Sequence, residues 1–201
     1  MATRIRRTPV EARRLILEAA GELLAAGGPA AVQVRAVAAA VGVSDAAVNH
    51  HFGTREQLLS ALLRFGGRKL KSELHAALGT WRDGSADPAA LVRILAALYA
   101  DGYAELALAL HQSGWRDTGS GLLDEIVDRL HAQARTDCAT TGRTPPARET
   151  VQLTVAALHQ AVAMEPLFGD AFRRSAGLDA AARDRMLDWW IETLRRTVAG
   201  T

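Results

Sequence analysis

The chain has 201 residues, 49% of them hydrophobic but only 5% aromatic, and its 24 Lys and Arg against 22 Asp and Glu leave a formal net charge of +2. That length supports a sizeable core in one or two small domains. A single cysteine, Cys138, excludes an internal disulfide framework and suits a reducing compartment, while abundant Ala, Leu, Arg and Glu with few alternating Val or Ile favour helix nearly throughout.

The charge is unevenly spread. Residues 1–55 hold seven arginines (Arg4, Arg6, Arg7, Arg13, Arg14, Arg35 and Arg55) against four acids (Glu11, Glu18, Glu22 and Asp45), an excess of three at one end of a near-neutral body. Such an asymmetry fits a nucleic-acid footprint. Residues 1–9 read as a flexible arm in which Arg4, Arg6 and Arg7 can meet phosphate or the minor groove. No apolar run follows these charges, so no leader is expected, and Ala89 to Leu110 is interrupted by Arg93, Asp101 and Glu105 and does not read as a membrane span. The expected location is the cytoplasm.

From Val10 to Ala26, Ala12, Leu15, Ile16, Ala19 and Leu23 recur at helical spacing, with Leu17 and Leu24 beside them as contacts for a second body of the protein. Gly27, Gly28 and Pro29 end this helix. The next stretch, Gln33 to Glu56, reads QVRAVAAAVGVSDAAVNHHFGTRE and has the spacing of a helix-turn-helix. Ala38 is the small residue where two helices approach, Gly42 supplies the turn, Ser44 is the N-cap, and Val48 locks the second helix. At 100° per residue Ala46 and His50 of that second helix point outward and Ala47 and Asn49 border them. This small, polar face suits a DNA major groove: alanine methyls can meet thymine methyls, and Asn or His can hydrogen-bond base edges, Asn49 being the stronger candidate for specificity.

The run GVSDAAVNHHFGTREQLL at Gly42 to Leu59, preceded by VRAVAAAV and by the helix starting near Val10, resembles the DNA-binding domain of TetR-family transcriptional regulators over about residues 9 to 60. The resemblance implies an all-α homodimer of about nine helices per chain: an N-terminal three-helix helix-turn-helix domain, here residues 1–53, and a larger helical ligand-binding and dimerisation domain, residues 54–201. It also implies binding to a double-stranded DNA operator and release by a small-molecule ligand. The family often has Thr where Ala47 stands and a Tyr pair at Asn49 and His50, so a hydroxyl contact and aromatic packing on the backbone are absent here. The DNA-binding set expected is Arg4, Arg6, Arg7, Gln33, Arg35, Ser44, Ala46, Ala47, Asn49, His50, His51 and Arg55.

After Gly53, Thr54 and Gln57 form a capping box for a long helix from Arg55 to Leu78, with Leu58, Leu59, Leu62, Leu63, Leu70 and Leu74 on its apolar side and a kink expected at Gly66-Gly67. Arg55 opposes the helix dipole there, a placement that suits a nearby phosphate. A polar loop, 79–87, precedes a helix opened by Pro88 and running to Tyr103; a separate segment continues to His111 beyond Gly102. Further helices are expected at Leu122 to Ala139, Ala147 to Phe168 and Asp179 to Val198. The last two are apolar on more than one side, and a homodimeric four-helix seam would cover them through Val155, Leu158, Val162, Leu187, Trp190, Ile191 and Leu194. Candidates for a ligand pocket are Phe65, Trp81, Tyr99, Tyr103, His111, Trp115 and His131.

Catalytic signatures are missing: the chain has no Gly-rich phosphate loop, HExxH, CxxC or GxSxG. Asp128 and His131 have the spacing to share a metal but read as a salt-bridged surface. No catalytic residue, metal or cofactor is expected. The alternatives are a helical-bundle enzyme and a ligand-free architectural DNA-binding protein.

Overall fold

A computed structural model describes residues 8–79, 87–116, 119, 121 and 123–200. Among these residues there are nine α-helices and no strand: α1 (Pro9–Ala31), α2 (Val34–Val41), α3 (Asp45–Phe52), α4 (Arg55–Gly79), α5 (Pro88–Leu98), α6 (Ala104–Gln112), α7 (Asp124–Thr141), α8 (Arg148–Ser175) and α9 (Ala182–Ala199). A π-helical turn, Tyr99–Tyr103, joins α5 to α6. The all-α architecture and its helix count agree with the sequence reading.

Side-chain caps account for the starts of α1, α4 and α5. Thr8 and Glu11 form a reciprocal capping box at α1, Thr54 and Gln57 do the same at α4, and the Asp87 carboxylate accepts from Ala89 N–H at 3.0 Å ahead of α5. Each arrangement satisfies backbone donors that a helix N-terminus leaves without partners. In α1 the backbone leaves helical geometry at Gly27 and Gly28, as expected, but one further turn follows before the chain reaches Val32. α4 runs through Gly66-Gly67 as uninterrupted helix, without the expected kink.

By its contacts the chain forms two compact units. The first takes in the described residues up to Gly66 together with Ala100–Arg116; the second takes in those of Gly67–Tyr99 and Asp117–Thr201. In the first, Ile16, Leu17, Ala20 and Leu24 of α1 are buried with Val32, Val37, Val48, Leu58, Leu62 and Leu106. Leu17 and Leu24, expected to meet a second body of the chain beyond residue 53, are buried in this unit at 3% and 1% exposure. The reason is α6, which packs along α1 and covers that flank. Tyr103 fits the same packing through a missing side chain: a Cβ on Gly66 would stand 2.0 Å from the Tyr103 ring.

In the second unit the later turns of α4 combine with α5, α7, α8 and α9 around Leu70, Leu74, Leu95, Ile126, Leu130, Val151 and Leu158. Here the structure redirects one assignment. Val155, Leu158, Val162, Ile191 and Leu194 are all at most 7% exposed within the single chain, and Leu187 and Trp190 pack against the same core. The first five are covered by α5 and α7 and pack inside the chain, while Leu187 and Trp190 stay partly exposed. α8 also runs on to Ser175, through Pro166, well past the expected end at Phe168. Arg173 and Arg174 in its last turn complement the helix dipole, and the buried Arg173 guanidinium donates to the Glu165 and Asp170 carboxylates. Between α7 and α8, Arg148 bridges Asp124 at 2.8 Å and Asp128 at 2.7 Å. Asp128 is thus part of an ion pair.

Candidate nucleic-acid interface and apolar cavity

The α2–α3 turn is built on Gly42, whose φ of 74° and ψ of 39° place it in the left-handed region, where a residue with a Cβ is strained. The N–H groups of Gly42 and Val43 donate to the Ala38 carbonyl at 2.9 and 3.0 Å and close α2. Two residues on, Ser44 Oγ accepts from Ala47 N–H at 3.2 Å and starts α3. Val37, Ala38 and Val48 are fully buried where the two helices meet, and Phe52 anchors the end of α3 at 7% exposure. With Val48 and Phe52 held inward, Ala46, Asn49 and His50 are exposed together on the opposite side, and Ala47 and His51 are half-buried at its edges. At the start of α2, Gln33 and Arg35 are exposed, and the Gln33 amide donates to Ala30 O at 2.8 Å.

Two arginines brace this motif from within the first unit. The Arg13 guanidinium lies 4.2 Å from the Phe52 ring centroid and donates to the His51 carbonyl, tying α1 to the negative end of α3. Arg55, expected on a phosphate, donates through Nε to Val32 O at 2.8 Å and through a terminal nitrogen to Pro29 O. It satisfies carbonyls in the segment that joins α1 to α2. The role of Arg13 was missed in the sequence, yet a signal was there. Arg13, itself exposed, continues the buried α1 stripe of Leu17, Ala20 and Leu24 by one turn, as Arg55 continues that of Leu58, Leu59 and Leu62; an arginine in register with an apolar stripe can lay its stem along that side and reach a neighbouring element.

Arg4, Arg6, Arg7 and Trp81 lie outside the described residues. Of the remaining pocket candidates, Phe65, Tyr103, His111 and Trp115 fall in the first unit and Tyr99 and His131 in the second, and His111 is exposed. Tyr103 is buried, and that burial, aided by the negative charge of Asp101, pushes its hydroxyl pKa up to about 12. The second unit instead contains an apolar cavity of about 30 Å³, walled by Leu74 of α4, Leu91, Val92 and Leu95 of α5, Leu123, Ile126 and Leu130 at α7, Val155 and Leu158 of α8, and Leu194 of α9. Elsewhere in the second unit, the Tyr99 hydroxyl and His159 Nε2 are hydrogen-bonded at 2.6 Å.

Residues 16–62 match the family model described as bacterial regulatory proteins, tetR family. The helix-turn-helix domain of this chain is a tetR-family domain. A stretch of 66 residues is 44% identical to the HTH-type transcriptional repressor Rv3405c of Mycobacterium tuberculosis, and equally to the HTH-type transcriptional regulator Mb3439c of Mycobacterium bovis; it covers 33% of this chain and 35% of each relative. The matched region thus spans about a third of the length of these relatives. Over the whole chain the likeness is one of fold. The fatty acid degradation regulator FadR from Bacillus halodurans superposes with a TM-score of 0.54 at 18% identity, covering 97% of each chain. A TetR-family member from Streptomyces coelicolor, SCO1917, gives 0.50 at 22% identity over 93% of this chain and 98% of that one.

Proposed function

We propose that the protein is a homodimeric transcriptional regulator of the cytoplasm, and not an enzyme, that represses by binding a double-stranded operator through α3 and leaves it when a small molecule binds the second unit. The observation that carries this reading is the outward side of α3: Ala46, Asn49 and His50 are exposed together on a helix held by Val48 and Phe52 in a tetR-family helix-turn-helix. A small, polar, protruding surface suits a major groove better than it suits a protein partner. Asn49 reads a base edge in this account, while Gln33, Arg35, Ser44, His50 and His51 surround it as positioning contacts and Ala46 and Ala47 supply methyl surface. The arginines Arg4, Arg6 and Arg7 would add phosphate contacts. Functionally, residues 1–53 form the DNA-binding domain and residues 54–201 the sensing and dimerisation domain.

The dimer seam is proposed on the outer side of α8 and α9. Leu153, Met164, Phe168 and Phe172 of α8 are exposed large hydrophobics, as is Trp189 of α9. With Ala157 and Gln160 the α8 residues make a row at spacings of three and four, opposite the buried Val151, Val155, Leu158 and Val162. An apolar row of this length on each copy is self-complementary across a two-fold axis. Coupling would run through α4, one continuous helix about 37 Å long, whose first turns belong to the unit that holds α3 and whose later turns belong to the unit that holds the cavity. A ligand that favours a non-binding separation of two recognition helices must itself bind more weakly when operator is present, by the same factor.

The test is specific DNA binding by the purified chain, with operator selected from a random pool and measured by fluorescence anisotropy against competitor DNA. A regulator discriminates its operator from competitor and is released by a small molecule. No discrimination would favour an architectural DNA binder, and no DNA binding would favour the enzyme reading.

A further inference from the structure

We propose that Arg13 is a positioning residue for base reading: from α1 it fixes the last turn of α3, and so sets where Asn49 meets the operator, without touching DNA itself. This rests on the operator-reading role proposed above for α3 and adds to it the residue that holds the reader in place.

α3 has eight residues, Asp45–Phe52, and its two ends are held by different means. The first turn is fixed locally: Gly42 makes the turn before it, and Ser44 Oγ accepts from Ala47 N–H at 3.2 Å. The last turn carries Asn49 and His50. There the Gly53 N–H donates to Asn49 O at 2.7 Å, and the chain leaves the helix at once, with φ 78° and ψ −111° at Gly53. The carbonyls of a final helical turn lack intrahelical partners, and such ends fray.

Arg13 supplies a partner from 38 positions earlier in the chain. Its guanidinium donates to the His51 carbonyl, and its Cζ lies 4.2 Å from the centroid of the Phe52 ring. Phe52 is 7% exposed, so the ring is a fixed platform and not a mobile surface group. A planar guanidinium can stack on a ring and donate in its own plane at once, which holds the residues directly after Asn49 and His50 in two directions. That hold bears on recognition, because a binding contact needs its side chain within about 0.5 Å of the productive position. Neighbouring Arg14 makes the contrast. It pairs with Glu18 on its own helix at 2.6 Å, with both side chains exposed, a kind of contact that contributes little. The two arginines bring the same charge to the same helix, and it is Arg13 that reaches α3.

The test uses the full-length protein, an operator selected from a random pool and single-base variants of it, with binding read by fluorescence anisotropy over a range of salt concentrations. Arg13→Ala is expected to weaken operator binding about tenfold, to leave competitor binding and the salt slope as in the wild type, and to relax discrimination at the base pair that Asn49→Ala relaxes. Because Arg13 acts through Asn49, the double substitution should discriminate at that base pair no worse than Asn49→Ala alone. Arg13→Met, which keeps an unbranched apolar stem at the position, should show the same relaxation with a cooperative thermal transition, and Arg14→Ala should not show it. A salt slope reduced by about one per subunit would make Arg13 a phosphate contact and overturn the proposal. Additive losses in the double substitution, or an equal relaxation in Arg14→Ala, would overturn it by showing that Arg13 does not act through Asn49. Loss of the thermal transition in both Arg13 variants, or folded variants that discriminate like the wild type, would overturn it as well. A wild-type chain without any discrimination would instead remove the operator-reading role itself.

Discussion

Helices α3 and α8 make the useful comparison in this molecule. α3 is apolar on one side only: Val48 and Phe52 are buried, Ala46, Asn49 and His50 are exposed, and the orientation could be derived from the order of residues. α8 is apolar on two sides. Val151, Val155, Leu158 and Val162 face α5, α7 and α9, while Leu153, at 65% exposure, and Phe172, at 59%, lie on the other side. A helix with one apolar face declares its inside; with two, the neighbours decide which face is core.

The strongest way to break this comparison is a charge on either side of the second unit. Leu194→Glu places an unpaired carboxylate at a position 3% exposed and is expected to destabilise the fold by several kcal/mol, leaving no cooperative thermal transition. Leu153→Glu should keep the transition and instead shift the protein from dimer to monomer in light scattering. If Leu194→Glu yielded a folded monomer, the two sides of the bundle would have been assigned the wrong way round.

The buried Tyr103 gives the next largest effect. Its hydroxyl pKa is raised from 10.0 to about 12, so the neutral phenol is favoured in the folded chain: this stability is fully present below pH 10 and is lost as the pH climbs toward 12. Denaturant midpoints measured across that window should fall for the wild type and fall less for Tyr103→Phe. Identical slopes would contradict the burial of the hydroxyl.

Packing around that ring sharpens the contrast between adjacent positions of α4. A Cβ on Gly66 collides with the Tyr103 ring, whereas one on Gly67 meets nothing within 4 Å. Gly66→Ala should cost about 1 to 3 kcal/mol through overpacking, and Gly67→Ala should stabilise by up to about 1 kcal/mol through helix propensity. Chemical denaturation distinguishes the two, and the same sign for both would argue against a tight Gly66 site.

Around α3 the comparison is between bracing and reading. Arg55→Ala removes two donors to the Val32 and Pro29 carbonyls and is expected to lower stability by about 1 to 3 kcal/mol, with weaker binding to every DNA sequence as a consequence. Asn49→Ala should change stability by no more than about 0.5 kcal/mol, as exposed positions do, yet relax discrimination at one base pair per half-site by about 1 to 3 kcal/mol. Unchanged denaturation of Arg55→Ala, or equal loss on specific and competitor DNA for Asn49→Ala, would undo this division.

Sequence alone determined the all-α class, the helix-turn-helix and most helix starts, because these depend on residues within a few positions of one another. Ser44 caps the helix it begins, Gly42 adopts the backbone its own turn requires, and Thr54 with Gln57 closes the start of α4. The same short range explains why the family resemblance was carried by residues near 9 to 60. What only tertiary structure decided were matters of partner choice. Leu24 went inward because α6 covers it, and Arg55 turned to carbonyls more than twenty positions away in the chain. Five expected seam residues became core because α5 and α7 reached them first, and a cavity formed where Leu, Val and Ile from five helices converge. Each helix carries its own periodicity, but apolar surface is non-directional and specifies no partner; the choice among partners is made by the packing of all the helices in a unit at once.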